Sequence, residues 1–218
     1  MAEERTAVLA AVQDHGGERR SLFLDVPGGI AFRPGQFLSC LLPVGGERLI
    51  RPYSIASSPA APERIELLLD RVPGGPGSGY LFALAVGARL DFTGPWGTFV
   101  LDRAPEVEAV FVALGTGIAA IRPMLHRAAE GAAKHPLTLL YATDQPIYRD
   151  ELSAIPGLAV DVVTTTAAED EIRRRWLEGD ADRTRQFFVC GVGDNVPRLR
   201  DLLRGAGYAR RAVQYERW

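Results

Sequence analysis

The 218-residue sequence predicts a two-domain β + α/β protein. Residues 1–103 string together short apolar runs separated by Gly- and Pro-rich turns. Closely spaced strands of this kind belong to an antiparallel barrel or sandwich. Residues 107–218 alternate buried-type strands with amphipathic helices, the pattern of a parallel sheet covered on both faces. Between them, "LDRAPEVE" interrupts both rhythms with charge and a proline. There is no internal repeat, low-complexity tract or long linker, so the halves are expected to pack closely around a cleft.

In the first half the predicted strands are "TAVLAAV", "SLFLDV", "QFLSCLL", "PYSIA", "RIELLL" and "RLDFTG". The clusters "PGG", "PVGGE" and "SSPAAPE" mark turns. After the Gly-rich "PGGPG", the stretch "SGYLFALAV" reads as a short helix. The second half runs from strand "EAVFVAL" through "GTG" into helix "IAAIRPMLHRAAEGAAK". Strand "LTLLYAT", helix "IYRDELSAI", strand "LAVDVVTTT" and helix "EDEIRRRWLEG" follow. Strand "RQFFVCGV", helix "VPRLRDLLRGAG" and strand "AVQYERW" complete the series.

Composition removes several functions. With 47% hydrophobic and 24% charged residues the chain matches globular proteins and has material for a core in each half. A net charge of −2 lacks the basic footprint of a nucleic-acid binder. No apolar run reaches the length of a membrane span, and the N-terminus lacks a signal-peptide apolar region, so a cytoplasmic protein is expected. The two cysteines, Cys40 and Cys190, are too few for an iron–sulfur cluster. The three histidines have no metal-ligand spacing, and no metal site is predicted.

Three stretches carry chemistry. "VFVALGTGIAAIRPM" places Gly115, Thr116 and Gly117 between a strand and a helix, where free N–H groups and the positive dipole end suit a pyrophosphate. Position 120 is alanine, so this is not GxGxxG, and a turn needing Gly for geometry alone reads the same way. "VPGGPGSGYLF" offers a second N–H nest through Gly75, Gly77, Ser78 and Gly79, or a plain surface loop. "IRPYSIASS" brings Arg51, Tyr53 and Ser54 to a strand end, too polar a set for an ordinary turn. Two phosphate-type turns on unlike halves point to two nucleotides.

With these residues in order, the chain resembles the ferredoxin–NADP reductase superfamily of FAD flavoproteins over almost its whole length. "RPYS" (51–54) matches the family's Arg-x-Tyr-Ser flavin motif. Gly75-Pro76-Gly77-Ser78 matches its Gly-x-x-Ser/Thr pyrophosphate motif, and "GPWGTF" (94–99) the turn near the barrel's end. "GTGIA" (115–119) matches the nicotinamide-nucleotide turn and "VCGVG" (189–193) the Cys-Gly segment. "FRPGQF" (32–37) and "YRDEL" (148–152) add support. The resemblance implies a Greek-key β-barrel binding FAD over 1–103 and a Rossmann-like, five-stranded parallel domain binding NAD(P) over 107–218.

It also implies roles. Arg51 would pair with the FAD pyrophosphate, held too by Gly75, Gly77 and Ser78. Tyr53 would lie against the isoalloxazine ring, Ser54 would hydrogen-bond flavin N5, and Ile55 would complete the segment. Gly115, Thr116 and Gly117 would contact the nicotinamide nucleotide. Cys190, followed by Gly191, would sit near the carbon that donates hydride; without the resemblance it reads as a small buried hydrophobe. Trp218 or Tyr215 would stack on the flavin or its adenine, or tuck into a core, while Trp96 is read as a packing residue. Ser54, Cys190 and Tyr53 are therefore the expected catalytic set.

The implied activity is hydride transfer from NADH or NADPH to FAD, then electron transfer to a separate acceptor: a ferredoxin, a flavodoxin or an oxygenase component. The alternatives are a reductase that releases free reduced flavin and a non-catalytic flavin-binding subunit. Where the family often has Pro, this chain has Ala120 and Gly193, and "ATD" (142–144) stands where it often has Gly-x-Arg. Asp144 leans towards NADH, whereas Arg173 to Arg175 offer cations for a 2′-phosphate or form a solvated helix face.

Overall fold

The computed structural model describes residues 3–130 and 134–218. The predicted continuation of the first long helix through 131–133 lies outside the described residues. The chain divides into two compact units, Met1–Val100 and Leu101–Trp218.

The first unit contains β1 (Arg5–Gly16), β2 (Arg19–Asp25), β3 (Phe37–Val44), β4 (Glu47–Ser54), β5 (Arg64–Asp70), α1 (Pro76–Ala83) and β6 (Arg89–Trp96). The strands form a six-stranded antiparallel sheet in the order β4-β3-β6-β1-β2-β5. Gly45 and Gly46, at φ +64° and +82°, turn β3 into β4 across a two-residue loop that needs positive φ at both positions. Beyond the end of β4, Ile55 bridges to Leu67 of β5, and the Ala56 amide donates to the Glu66 carbonyl at 2.8 Å. These contacts join the sheet's two edges into a ring. Alternate residues fill it: Leu22 and Leu24, Leu38 and Leu42, Leu67 and Leu69, with Leu81 of α1 among them. That period of two is what an inward-facing strand surface requires.

The second unit contains β7 (Ala109–Leu114), α2 (Ile118–Ala129), β8 (Leu137–Ala142), α3 (Arg149–Ser153), β9 (Leu158–Val163), α4 (Ala168–Trp176), β10 (Gln186–Gly191), α5 (Asn195–Gly205) and β11 (Val213–Arg217). Its five strands are all parallel, in the order β11-β10-β7-β8-β9. Every residue of β7 and β8 is buried, which explains their unbroken apolar sequences. The chain steps outward from β7 to β9, then returns to place β10 on the other side of β7. The order therefore reverses between β7 and β10, the place where open α/β sheets receive ligands at their carboxyl edge.

Backbone contact fixes that point. A Cβ added to Gly117 would lie 2.1 Å from the Cys190 carbonyl oxygen, and one added to Gly191 would lie 2.5 Å from Leu114 Cβ. The start of α2 thus presses on the end of β10, leaving no room for a side chain at either glycine. On the outer side, "YRDEL" is an anchor. Tyr148 adopts φ +57° below the Arg122 guanidinium, 4.2 Å from its ring centroid. Glu151 accepts from Arg122 Nε and Nη2 at 2.7 and 2.8 Å and meets His126 Nε2 at 2.6 Å. Burial alone would raise the Glu151 carboxyl, but the bonds from His126 and Arg122 prevail and hold it down to about 2. Among the described residues no helix is long and apolar enough to cross a membrane.

Gly117→Ala should destabilise the protein by about 3 kcal/mol or more, because the opposing atoms are backbone and cannot swing away. Gly79→Ala, in α1 with nothing within 4 Å of the added carbon, should be neutral or stabilising by about 0.5–1 kcal/mol. Denaturant midpoints of the two variants check both expectations.

Candidate active site

In the first unit, strand alternation puts Leu49, Arg51 and Tyr53 on one face of β4. Arg51 is exposed, donates one bond to the Ile50 carbonyl at 2.8 Å, and has no carboxylate partner among the described residues. The start of α1 comes up against its stem: a Cβ on Gly77 would touch Arg51 Cγ at 3.1 Å, Leu42 Cδ1 at 3.4 Å and Leu49 Cδ2 at 3.5 Å. Because Pro76 occupies the first helical position, the amides of Gly77 and Ser78 begin the helix without intrahelical acceptors. The stem of an arginine and two helix-start amides therefore share one locality, and a guanidinium with free amides is a donor set matched to a phosphate.

The Ser78 hydroxyl is engaged elsewhere. It accepts from the Val72 amide at 3.0 Å and reaches the Gly75 carbonyl at 3.3 Å, so it shapes the 72–78 loop. Gly75 belongs to that loop's tight packing, where an added Cβ would meet Val72 Cβ at 2.9 Å. What Ser78 offers an anion is its backbone amide. Tyr53 packs against the barrel core, and burial first, then the Cys40 thiol, pushes its phenol up to about 12. It presents a neutral aromatic body. Ser54 is 6% exposed and its hydroxyl has no protein hydrogen-bond partner among the described residues. Ile55 differs from its neighbours: its side chain is fully buried in the core and its amide donates to the Gln36 carbonyl at 3.0 Å. Trp96 is 41% exposed, with its indole N–H donated to Thr93 Oγ1 at 3.2 Å.

In the second unit, Gly115 at φ +56°, Thr116 and Gly117 form one 3-10 turn that opens α2 at the carboxyl edge of the sheet, at the point of strand reversal. Packing explains Gly117, and the helix start still supplies the donors. Cys190 lies on β10 beside Ala113 and Glu216, fully buried. Burial, reinforced by the Glu216 carboxylate, pushes its thiol well above the ordinary range, so it remains a thiol. The next loop is tied to the chain end. The Trp218 amide donates to the Gly191 carbonyl at 3.1 Å, and the Gly193 amide donates to the Trp218 carbonyl at 3.2 Å. Gly193 stands at φ +79° and uses an N–H, two things a proline cannot supply. Tyr215 is held on the other side, its hydroxyl accepting from Arg200 at 3.0 Å and its ring under Arg200 and Arg204. Trp218 is half-buried.

Sequence reasoning passed over Glu216. It pairs in register with Cys190, and Oε1 is buried without a hydrogen-bond partner. Burial pushes its carboxyl up to about 7. In sequence it was one acid among 27 acidic residues, and only the β10–β11 register reveals its setting. Shallow hollows of about 360 and 380 Å³, beside Arg48 and Asp91 and beside His126 and Glu151, contain none of the predicted residues. Glu151 is already bound in its ion-pair cluster, and neither hollow gathers uncommitted donors.

The model of the oxidoreductase FAD-binding domain family matches residues 13–101. A ferredoxin–NADP reductase B of Sorangium cellulosum is 33% identical over 240 residues, an alignment covering 100% of this chain and 98% of that protein. The glycine betaine monooxygenase reductase subunit of Pseudomonas aeruginosa is 29% identical, covering 92% of this chain and 60% of its own. The propane 2-monooxygenase reductase component of Gordonia sp. is 29% identical, with 89% and 54% covered. The chain thus spans little more than half the length of those oxygenase reductases. Among solved structures, the ferredoxin reductase in carbazole 1,9a-dioxygenase superposes with a TM-score of 0.87 at 22% identity, covering 100% of this chain and 69% of that one. A ferredoxin NADP+ reductase from Neisseria gonorrhoeae with bound FAD and NADP gives 0.84 at 19% identity, covering 100% and 99%. The two structures share the fold of a barrel unit followed by a parallel α/β unit. With that fold, the family match and the full-length relative together, the chain belongs to the ferredoxin–NADP reductase family and is an FAD-containing, NAD(P)H-dependent flavoprotein reductase.

Proposed function

We propose that this chain draws electrons from a nicotinamide nucleotide and delivers them to a separate redox protein, a ferredoxin, a flavodoxin or an oxygenase component. The observation that carries the reading is the convergence of the Arg51 stem and the start of α1 at Gly77. Bound FAD and NAD(P)H would supply the hydride chemistry, as cofactors do. The chain's part is to hold and orient them. Arg51 with the Gly77 and Ser78 amides holds the pyrophosphate, Tyr53 lies along the flavin ring, and Ser54 gives its unpartnered hydroxyl to N5. In the second unit the first turn of α2 receives the nicotinamide nucleotide. Cys190, as a thiol, packs beside its ring. Glu216 holds a proton on its carboxyl near neutral pH. Names of relatives support the acceptor class: this chain resembles reductase components of oxygenase systems and a ferredoxin–NADP reductase.

Arg51→Ala should lose FAD on gel filtration while keeping its fold, whereas Ser54→Ala should keep FAD and slow its reduction about 10-fold or more, read by stopped-flow absorbance. Full flavin occupancy and unchanged rates in both would remove this assignment. Mixing the reduced protein with a [2Fe–2S] ferredoxin, a flavodoxin and free FMN tests the acceptor. Rapid reduction of a protein acceptor with FAD retained supports the reading, and release of reduced flavin overturns it.

Glu216 gives a pH dependence with a defined sign. Its carboxyl is raised from 4.5 to about 7 by burial, so folding favours the protonated form. The associated stability is fully present below about pH 4.5 and is lost as pH rises through 7. Relative to Glu216→Gln, the native protein should lose on the order of 2–3 kcal/mol between pH 5 and pH 8 in paired denaturation series.

A further inference from the structure

We propose, on the reading of "RPYS" as the segment that holds FAD, that Glu66 positions that segment and that His15, acting through Ser21, makes its hold depend on protonation.

In β5 the side chains of Ile65, Leu67 and Leu69 fill the barrel core, so Glu66 faces the other way, yet it is only 3% exposed. A buried carboxylate is costly unless it is hydrogen-bonded. Ser21, fully buried on the neighbouring β2, donates its hydroxyl proton to Glu66 Oε1 at 2.5 Å. That proton is then committed. His15 Nε2 lies 2.8 Å from the same Ser21 oxygen, so the imidazole is the donor on that side. The chain runs from a half-buried ring on β1, across one hydroxyl, to a buried acid on β5. A charge on the ring is therefore felt at Glu66.

The backbone of Glu66 is what the chain beyond Ser54 is tied to. Its carbonyl accepts from the Ala56 amide at 2.8 Å, and its amide donates to Ser57 Oγ at 3.0 Å. The next residue, Leu67, bridges to Ile55. Residues 55–57, directly after Ser54, thus take their position from Glu66 and Leu67. With both backbone groups on this segment and its side chain locked to β2, Glu66 is a positioning residue that acts on Ser54 through the main chain.

The charges around this chain fix the sign of the effect. On β1, Asp14 pairs with Arg20 of β2 at 2.7 Å. Arg19 of β2 pairs with Asp70 of β5 at 2.9 Å, and Arg71, just beyond β5, pairs with Glu18 of the β1–β2 turn at 3.5 Å. Each arginine at this corner has its own acid, and Glu66 is a further acid. A proton on His15 evens that balance, and a neutral ring leaves one negative charge in excess. An imidazole changes charge between about pH 5 and 8. The imidazolium strengthens the bond to Ser21 and offsets the buried charge of Glu66. That contribution is fully present while the ring is charged and is lost as rising pH neutralises it. The segment therefore holds FAD more tightly in mild acid than in mild base.

The experiment measures the FAD dissociation constant of the full chain by flavin fluorescence at about pH 5.5 and about pH 8, for the native protein, His15→Gln and Glu66→Gln. His15→Gln keeps a neutral donor beside Ser21, and Glu66→Gln keeps an acceptor for it without the charge. Native affinity should weaken about threefold or more over that rise relative to His15→Gln, in which groups elsewhere titrate as they do in the native chain. Glu66→Gln should lose the same dependence. By reciprocity, FAD binding should raise the pH at which the His15 ring titrates in proton NMR. Equal pH dependence in the native protein and His15→Gln overturns the inference. So does a native-like dependence in Glu66→Gln, or a His15 midpoint that FAD leaves unmoved. Arg51→Ala, run alongside, separates the two readings. If it retains FAD as the native protein does, the assignment of "RPYS" falls. If it loses FAD while His15→Gln behaves as native, the inference alone falls.

Discussion

The second unit is organised around one backbone contact. Gly117 approaches the Cys190 carbonyl so closely that no side chain fits, and Gly191 meets Leu114 in the same way. These glycines join the ends of β7 and β10 where the strand order reverses. Everything proposed for this unit inherits its position from them: the amides opening α2, the buried thiol of Cys190, and Glu216 on the neighbouring strand. A glycine turn beside a parallel strand thus serves packing first, and the phosphate-type geometry at the start of α2 is a by-product of that packing.

The first unit uses a comparable device with side chains. Gly77 lets the start of α1 settle on the stem of Arg51, so a helix terminus and a guanidinium share one locality although 26 residues separate them in sequence. Neither feature is a site by itself. The hydroxyl of Ser78 does not join them, because it closes the loop that sets the helix's starting point. It acts on the locality through the backbone it fixes.

The element series was legible because its signals are local. Alternation marked the strands, periodicity marked the helices, and Gly–Gly pairs marked the turns. The barrel's closure and the strand order were implied only by resemblance, since pairing between distant strands leaves no local trace. What each motif residue does in the fold was not visible in the sequence. The sequence of "IRPYSI" treats Ile55 like Ser54, whereas the structure buries the first in the core and leaves the second's hydroxyl without a partner among the described residues. "YRDEL" contributes an ion-pair anchor between α2 and α3. Arg173 to Arg175 read in one dimension either as cations for a 2′-phosphate or as a solvated helix face, and the structure pairs each of them with a carboxylate. Glu216 went unseen because its character comes from register with Cys190.

The ring of the first unit closes through little more than the Ile55–Leu67 bridge and the Ala56 amide, immediately beyond Ser54. From Glu47 to Pro52, β4 pairs only with β3, and its charged residues and proline discourage any further strand. The "RPYS" segment therefore runs along the seam of the barrel, where the fewest hydrogen bonds hold the cylinder shut. A molecule gripped there is thermodynamically linked to closure of the cylinder: it binds the closed form, and by mass action it suppresses local opening. Cofactor affinity and hydrogen-exchange protection along this seam are two readings of one equilibrium.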